Sequence, residues 1–298
     1  MIKWQCAIIW WLLKHRNLYR CILAADLDTG LAGLLAAKLL GKRLVYDIYD
    51  FYADSRLLPG LIGRAAQTME LSLVSRADAT ILAAESRIAQ LNGVKPRRLA
   101  TVYNIPHVLP TVPAPPGRGQ RPELTVAYVG VLSMIRGLSE LISVVSEQHD
   151  WRLEIGGFGP DEGVIRKCAD GTPNIRFHGR VCHEKAMKIY SDADVIVATY
   201  DPEIPNHRYS SPNKLFEAAA LGKPLVVARG TGVDELVTKY QLGAVVDYGS
   251  TEGLAVALGL IAKWSPGERE AFVEHARTIV RDHFNFEANW SRLVDVIA

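Results

Sequence analysis

At 298 residues, 49% hydrophobic and 22% charged, the chain is long enough for two cores and too apolar to remain disordered. Its 34 Lys and Arg against 32 Asp and Glu leave a formal net charge of +2, with no dense basic run, which excludes a nucleic-acid binder built on bulk charge. The four cysteines, at positions 6, 21, 168 and 182, lie too far apart for a CxxC or Cys/His zinc motif and read as free thiols in a reducing cytosol.

The first element is the apolar run WQCAIIWWLL, residues 4–13. It is too short to span a bilayer, which takes roughly 20 residues. No small-residue cleavage site follows it, so it is no signal peptide either. The first expectation is a buried helix of the first domain. The alternative is an amphipathic helix touching a membrane, with Lys14, His15, Arg16 and Arg20 near the headgroups.

Short apolar strands then alternate with longer helical stretches. CILAAD (21–26), RLVYDI (43–48), ATILAA (79–84) and LATVYN (99–104) read as strands. GLAGLLAAKLLG, AAQTMELSLVSRA and SRIAQLNG read as the helices between them. This alternation predicts a parallel sheet covered by helices. Residues 106–123, PHVLPTVPAPPGRGQRPE, hold six of the 15 prolines and read as an extended linker.

After the linker the pattern restarts and is complete. LTVAYVG (124–130), WRLEIGG (151–157), IRFHGRV (175–181), DVIVATY (194–200), PLVVAR (224–229) and GAVVDY (243–248) are the expected strands, with helices between them. The predicted class is α/β, two Rossmann-like doubly wound domains facing a cleft: 1–107, a linker at 108–123, and 124–280. Residues 281–298 form a last helix returning to the first domain. Ligands of such sheets bind beyond the carboxyl ends of the strands, so residues just after strands carry the most weight.

Three stretches meet that criterion. In YVGVLSMIRGLSELI, Gly130 ends a strand and Arg136 precedes a helix start, where free N–H groups and the helix dipole favour an anion. In IGGFGPDEG, Gly157 and Gly159 let a backbone approach a ligand, although a tight turn accounts for them almost as well. In SSPNKLFEAAALGKPLVVA (210–228), Ser211 suits an N-cap and Pro212 the first helical position. A diphosphate there would be held by backbone N–H groups and Lys214, with Glu217 accepting from ribose hydroxyls. The plain alternative is a capped helix whose Lys and Glu are solvated, and the small residues Ala218–Ala220 argue against solvent on that side.

These stretches, with IRFHGRV, AMKIYSDADVIVATY and GTGVDELV, make residues 124–248 resemble the retaining GT-B glycosyltransferases of glycosyltransferase family four. The first domain is similar to the later half of that family's N-terminal domain, through LAADLDTGLAGLLAAKLLGKRLVYDIYDFYADS, ADATILAAESRIAQL and VYN. The resemblance implies transfer of a sugar from a nucleotide-diphosphate donor, with retention and with no metal or other cofactor. It implies that Arg136 contacts the donor phosphates, that Ser211, Pro212, Asn213 and Lys214 meet the diphosphate, and that Glu217 binds the ribose. Gly130, Gly157 and Gly159 would line the nucleotide, and His178 would begin the loop beside the base.

The chain departs from the family pattern in several places. Eight residues before Glu217, where the family often has a second glutamate, stands Tyr209, and Glu203 or Asp201 would have to supply that carboxylate. Val131 stands where the family often has Arg, and Tyr49 where it often has His near the anomeric carbon. Tyr49 and Glu203 are therefore the expected catalytic-side residues. About three strand–helix units of a full N-terminal domain have no counterpart before Cys21, so an uncovered sheet edge is expected. The leading expectation is a transferase in the cytoplasm or at the inner face of the membrane, acting on a lipid-linked or polysaccharide acceptor of the cell envelope. The alternative is a non-catalytic nucleotide-sugar-binding subunit that needs a partner chain, joined through the N-terminal apolar helix. No nucleic acid is expected as a partner.

Overall fold

The computed structural model describes residues 2–105 and 123–297, so most of the expected linker at 108–123 lies outside the described residues. The chain divides into two compact units. Unit 1 comprises Met1–Asn104, Ile204–Ser211 and Phe286–Ala298, and unit 2 comprises Ile105–Glu203 and Pro212–Asn285.

Unit 1 begins with helix α1 (Ile2–Lys14), followed by β1 (Cys21–Ala25), α2 (Asp26–Leu40) and β2 (Arg43–Ile48). The short α3 (Tyr52–Ser55), α4 (Gly60–Arg76), β3 (Ala79–Leu82) and β4 (Leu99–Thr101) complete its first segment. The four strands lie in the order β1-β2-β3-β4, all parallel. Alternation divides each strand between two layers: Ile22, Ala24, Leu44, Tyr46 and Ile48 pack with Leu27, Ala36, Ala66 and Leu73 of α2 and α4. Val45, Ala79, Ile81 and Ala100 instead pack with Val296 of the last helix, α13 (Phe286–Ile297). Asn289 of α13 fixes that contact, accepting from the Tyr103 N–H at 3.1 Å and donating to its carbonyl at 2.6 Å.

Two expectations for unit 1 are corrected. The segment SRIAQLNG is a 3-10 helix over Glu85–Leu91, ended by Asn92 in a left-handed conformation (φ 48°). The tighter turn suits a short connector between two strands. Helix α1 is not buried: among its described apolar residues only Leu12 falls in the core, while Trp4, Trp10 and Trp11 are 58%, 60% and 51% exposed.

Unit 2 runs β5 (Leu124–Val131), α5 (Leu138–Ser146), β6 (Trp151–Phe158), α6 (Glu162–Asp170), β7 (Ile175–Phe177), α7 (His183–Asp192) and β8 (Val195–Ala198). The chain then makes the short α8 (Pro205–Arg208) within unit 1. It returns as α9 (Asn213–Ala220), β9 (Leu225–Ala228), α10 (Val233–Lys239), β10 (Gly243–Val246), α11 (Thr251–Ala262) and α12 (Pro266–His283). The six strands are parallel in the order β10-β9-β8-β5-β6-β7. The strand order reverses at β5 and β8, which is the doubly wound plan with its switch point between those strands. Eight register pairs, Leu124↔Trp151 through Val131↔Phe158, make β5 and β6 the spine of the sheet. Both faces are covered, so central strands such as VIVA and LVVA are buried at every residue and show no alternation. Each buried Val, Ile or Leu among them contributes about 1.5–3 kcal/mol.

Candidate functional site: a cationic pair at the strand ends of unit 2

At the switch point the chain leaves β5 after Gly130 and Val131 and forms a 3-10 turn, Met134–Arg136. Gly137 follows at φ 66° and opens α5. A Cβ on Gly137 would stand 2.3 Å from the Thr199 hydroxyl oxygen, so only glycine lets this turn lie against the end of β8. The turn brings the Arg136 guanidinium over the Tyr200 ring, 4.3 Å from its centre.

Lys214 reaches the same place from the first turn of α9. It is 9% exposed, and its ammonium lies 4.1 Å from the centre of the Tyr128 ring and 5.7 Å from that of Tyr200. Gly130 makes room for it, since a Cβ there would come within 3.0 Å of Nζ. Burial first, then the Arg136 charge, lowers the Lys214 pKa to about 7, against the opposing pull of Glu217. Among the described residues neither cation forms an ion pair with a carboxylate. Two cations held on aromatic faces without a neutralising anion form a ready site for a doubly charged oxyanion.

Glu217, one turn along α9, is 7% exposed, and burial raises its pKa while His183 and Lys214 oppose the rise. Gly157, at φ 138° in β6, would place a Cβ 1.8 Å from the Gly130 carbonyl oxygen, and its N–H donates to the Gly179 carbonyl at 2.8 Å. At Gly159 a Cβ would come 2.2 Å from the Leu132 carbonyl oxygen. These glycines knit the ends of β5, β6 and the segment after β7 into a closely packed backbone surface. His178 is held from within the sheet, its Nε2 2.5 Å from Oε2 of Glu154 on β6.

The helix start differs from the sequence expectation. Helix α9 begins at Asn213 with Pro212 as its N-cap, and no side chain caps it. The Ser211 hydroxyl is buried without a hydrogen-bond partner among the described residues. Pro212 has extended backbone at ψ 137°, which places it just outside the helix, so Ser211 sits one residue too early to cap. Asn213 is exposed at the helix start, where the N–H groups lack intrahelical partners.

Glu203 is also exposed, and its N–H donates to Asp201 Oδ1 at 2.9 Å in a tight turn after β8. Tyr49 belongs to unit 1, follows β2 and is exposed. Its N–H donates to Asp26 Oδ1 at 2.9 Å, and the nearby Asp47 charge, then burial, raises the pKa of its hydroxyl. The structure thus brings Gly130, Arg136, Lys214 and Glu217 of unit 2 into one neighbourhood. Sequence reasoning missed Tyr128 and Tyr200, which form the aromatic bed of both cations. Tyr200, the last residue of DVIVATY, was visible as a polar-tipped residue at a strand end; Tyr128 lies within an apolar strand and gives no such signal.

Known proteins share the domain and the fold. Residues 123–263 match the family model described as glycosyl transferases group 1. A curated relative, the lipopolysaccharide core biosynthesis glycosyltransferase LpsD of Rhizobium meliloti, is 24% identical over 205 residues, covering 67% of this chain and 57% of the relative. The chain spans about half or less of the length of three curated relatives it matches, from 28% to 57%. Among solved structures, sucrose-phosphate synthase from Thermosynechococcus elongatus superposes with a TM-score of 0.77 at 18% identity, over 99% of this chain and 76% of that one. HepE from Anabaena, in complex with UDP-glucose, superposes with a TM-score of 0.74 at 16% identity, over 97% of this chain and 81% of that one. The fold is therefore that of the GT-B glycosyltransferases, and residues 123–263 carry a glycosyl transferases group 1 domain.

Proposed function

We propose that the protein is a retaining glycosyltransferase of glycosyltransferase family four, moving a sugar from a nucleotide-diphosphate donor to a lipid-linked or polysaccharide acceptor in cell-envelope glycan synthesis. The observation that carries this reading is the unneutralised pair Arg136 and Lys214 at the switch point of a doubly wound sheet. In this reading the two cations hold the donor diphosphate, and the N–H groups at the start of α9 add hydrogen bonds to it. Glu217 accepts from the ribose hydroxyls. As the sugar–phosphate bond breaks, negative charge grows on the leaving diphosphate. Arg136 and Lys214 are already oriented toward that charge and stabilise it without reorganisation.

Support for the donor class comes from the matched domain and from HepE, whose structure contains UDP-glucose. Support for an envelope acceptor comes from LpsD, a lipopolysaccharide core glycosyltransferase. On this reading unit 1 receives the acceptor, with Tyr49 and Glu203 on the catalytic side. The test is a thermal-shift screen of UDP-, GDP- and ADP-sugars, followed by transfer from the stabilising donor to envelope glycolipid extracts, with the anomeric configuration read by NMR. One nucleotide class should raise the transition temperature, because a ligand bound only to the folded state stabilises it. The product should keep the donor's anomeric configuration. If no nucleotide sugar shifts the transition, or if the product is inverted, the reading fails.

A further inference from the structure

We propose that the outward face of α1 and α2 docks on an anionic lipid bilayer. The inference stands apart from the donor-site reading, because α1 and α2 belong to unit 1 and Arg136 and Lys214 to unit 2.

The rotation of α1 is fixed by Gln5. Its Nε2 donates to the Asp28 carbonyl, and its Oε1 accepts from the Ala32 N–H at 3.2 Å, both on α2. With Gln5 and the buried Leu12 turned inward, Trp4, Trp10 and Trp11 are left outward and exposed. Beside them α2 presents Leu31, Leu35 and Leu39, one turn apart and also exposed, while Gly30, Gly33, Ala36 and Ala37 face the core. Two packed helices thus offer adjoining apolar stripes that nothing among the described residues covers.

The charge around these stripes selects the partner. Residues 2–25 contain Lys3, Lys14, Arg16 and Arg20 and no acidic residue. Residues 29–42 add Lys38 and Lys42, again with no acidic residue. Asp28, at the start of α2, is already paired with Arg56 at 2.8 Å. Lys14 lies 4.8 Å from the centre of the Trp10 ring, and His15 stacks on Trp11 with centroids 4.5 Å apart, so basic groups accompany the indoles.

A protein partner would favour a face depleted in lysine. Indoles rimmed by basic side chains instead match the boundary between acyl chains and anionic headgroups. Each Lys or Arg near such a surface adds attraction that salt screens. Among the described residues no helix is long and apolar enough to cross a membrane, so this contact lies in the plane of the interface. Docking there would bring unit 1 to the surface from which a lipid-linked acceptor projects.

The test is co-sedimentation of the full chain with vesicles of phosphatidylcholine and phosphatidylglycerol in equal parts, and with phosphatidylcholine alone. The parent should bind the anionic vesicles, lose binding as salt rises, and bind the neutral vesicles far less. The variant W4S/W10S/W11S should partition at least about tenfold more weakly. Brominated phosphatidylcholine in the mixed vesicles should quench the tryptophan fluorescence of the parent, a measurement that needs no variant. Absence of binding to anionic vesicles, or absence of quenching, overturns the proposal. So does a folded triple variant that binds as the parent does, or a parent dimer that the triple variant converts to monomer, which would make this face a protein interface.

Discussion

At the carboxyl ends of β5 and β8, unit 2 gathers two cations, Arg136 and Lys214; at the carboxyl ends of β1 and β2, unit 1 gathers the carboxyls of Asp26 and Asp47. Both sheets are parallel and built from similar strand–helix units. Burial acts on both clusters in the same sense, toward neutrality. It lowers the Lys214 pKa to about 7, raises that of Asp47 to about 6, with the Asp26 charge adding to the rise, and raises that of Glu70 to about 7. The fold supplies only the place, and the residue types decide what can bind there. Lys214 regains full charge when a phosphate arrives, whereas the carboxyls of unit 1 suit hydroxyl groups.

The largest expected effect breaks the backbone that supports the cationic site. Gly157→Ala puts a Cβ 1.8 Å from the Gly130 carbonyl oxygen at a backbone φ of 138°. It should cost more than about 3 kcal/mol and abolish nucleotide binding, as denaturant titration and calorimetry would show. Lys214→Met separates stability from function at the same site. It removes a buried cation without an ion-pair partner while keeping the stem against Tyr128. The free protein should gain about 1–2 kcal/mol, and nucleotide affinity should fall about a hundredfold. A variant both less stable and normal in binding would contradict the role given to Lys214.

The pH responses of the two clusters sharpen the comparison further. A bound diphosphate favours the charged form of Lys214, so its pKa in the complex lies above the value of about 7 in the free protein. Affinity for UDP-glucose or GDP-mannose should therefore be constant below about pH 7 and fall as pH rises, by up to about tenfold per unit. In unit 1 the sign refers to stability. The Glu70 carboxyl, bonded to the Tyr46 hydroxyl at 3.2 Å and the Tyr52 N–H at 3.0 Å, is raised to about 7 chiefly by burial. A raised carboxyl contributes stability that is complete below its unfolded value and lost as pH rises through its folded value. The parent should lose on the order of 1 kcal/mol between about pH 5 and pH 8, and Glu70→Gln should flatten that decline, leaving the share due to Asp47. Thermal unfolding across that range measures it.

Much of this architecture was legible in the sequence. All ten strands fall where the apolar runs place them, because strands buried on two faces leave dense Val- and Ile-rich segments bounded by Gly, Pro and Asp. The exposure of α1 was legible only as the second of two expectations, since an apolar run shows that a helix forms and not which neighbours it has. Gln5, the residue that fixes its rotation, is a polar residue inside the run, and its partners on α2 are not visible from the sequence. At the site, Arg136, Lys214 and Glu217 stood out as charges just after strands or at a helix start. Their aromatic support did not, because Tyr128 and Tyr200 come together only through the β5–β8 pairing of residues about 70 positions apart. The N-cap expected of Ser211 fell one residue too early, because Pro212 keeps an extended backbone and itself precedes the first helical residue.

The most direct test of the central claim is isothermal titration of UDP and GDP into the full chain and into Arg136→Ala/Lys214→Ala. If the two cations hold the donor diphosphate, one of these nucleotides binds the parent and the double variant weakens it at least about a hundredfold, with the fold unchanged by circular dichroism. A double variant that binds UDP and GDP as the parent does would contradict the assignment of the site.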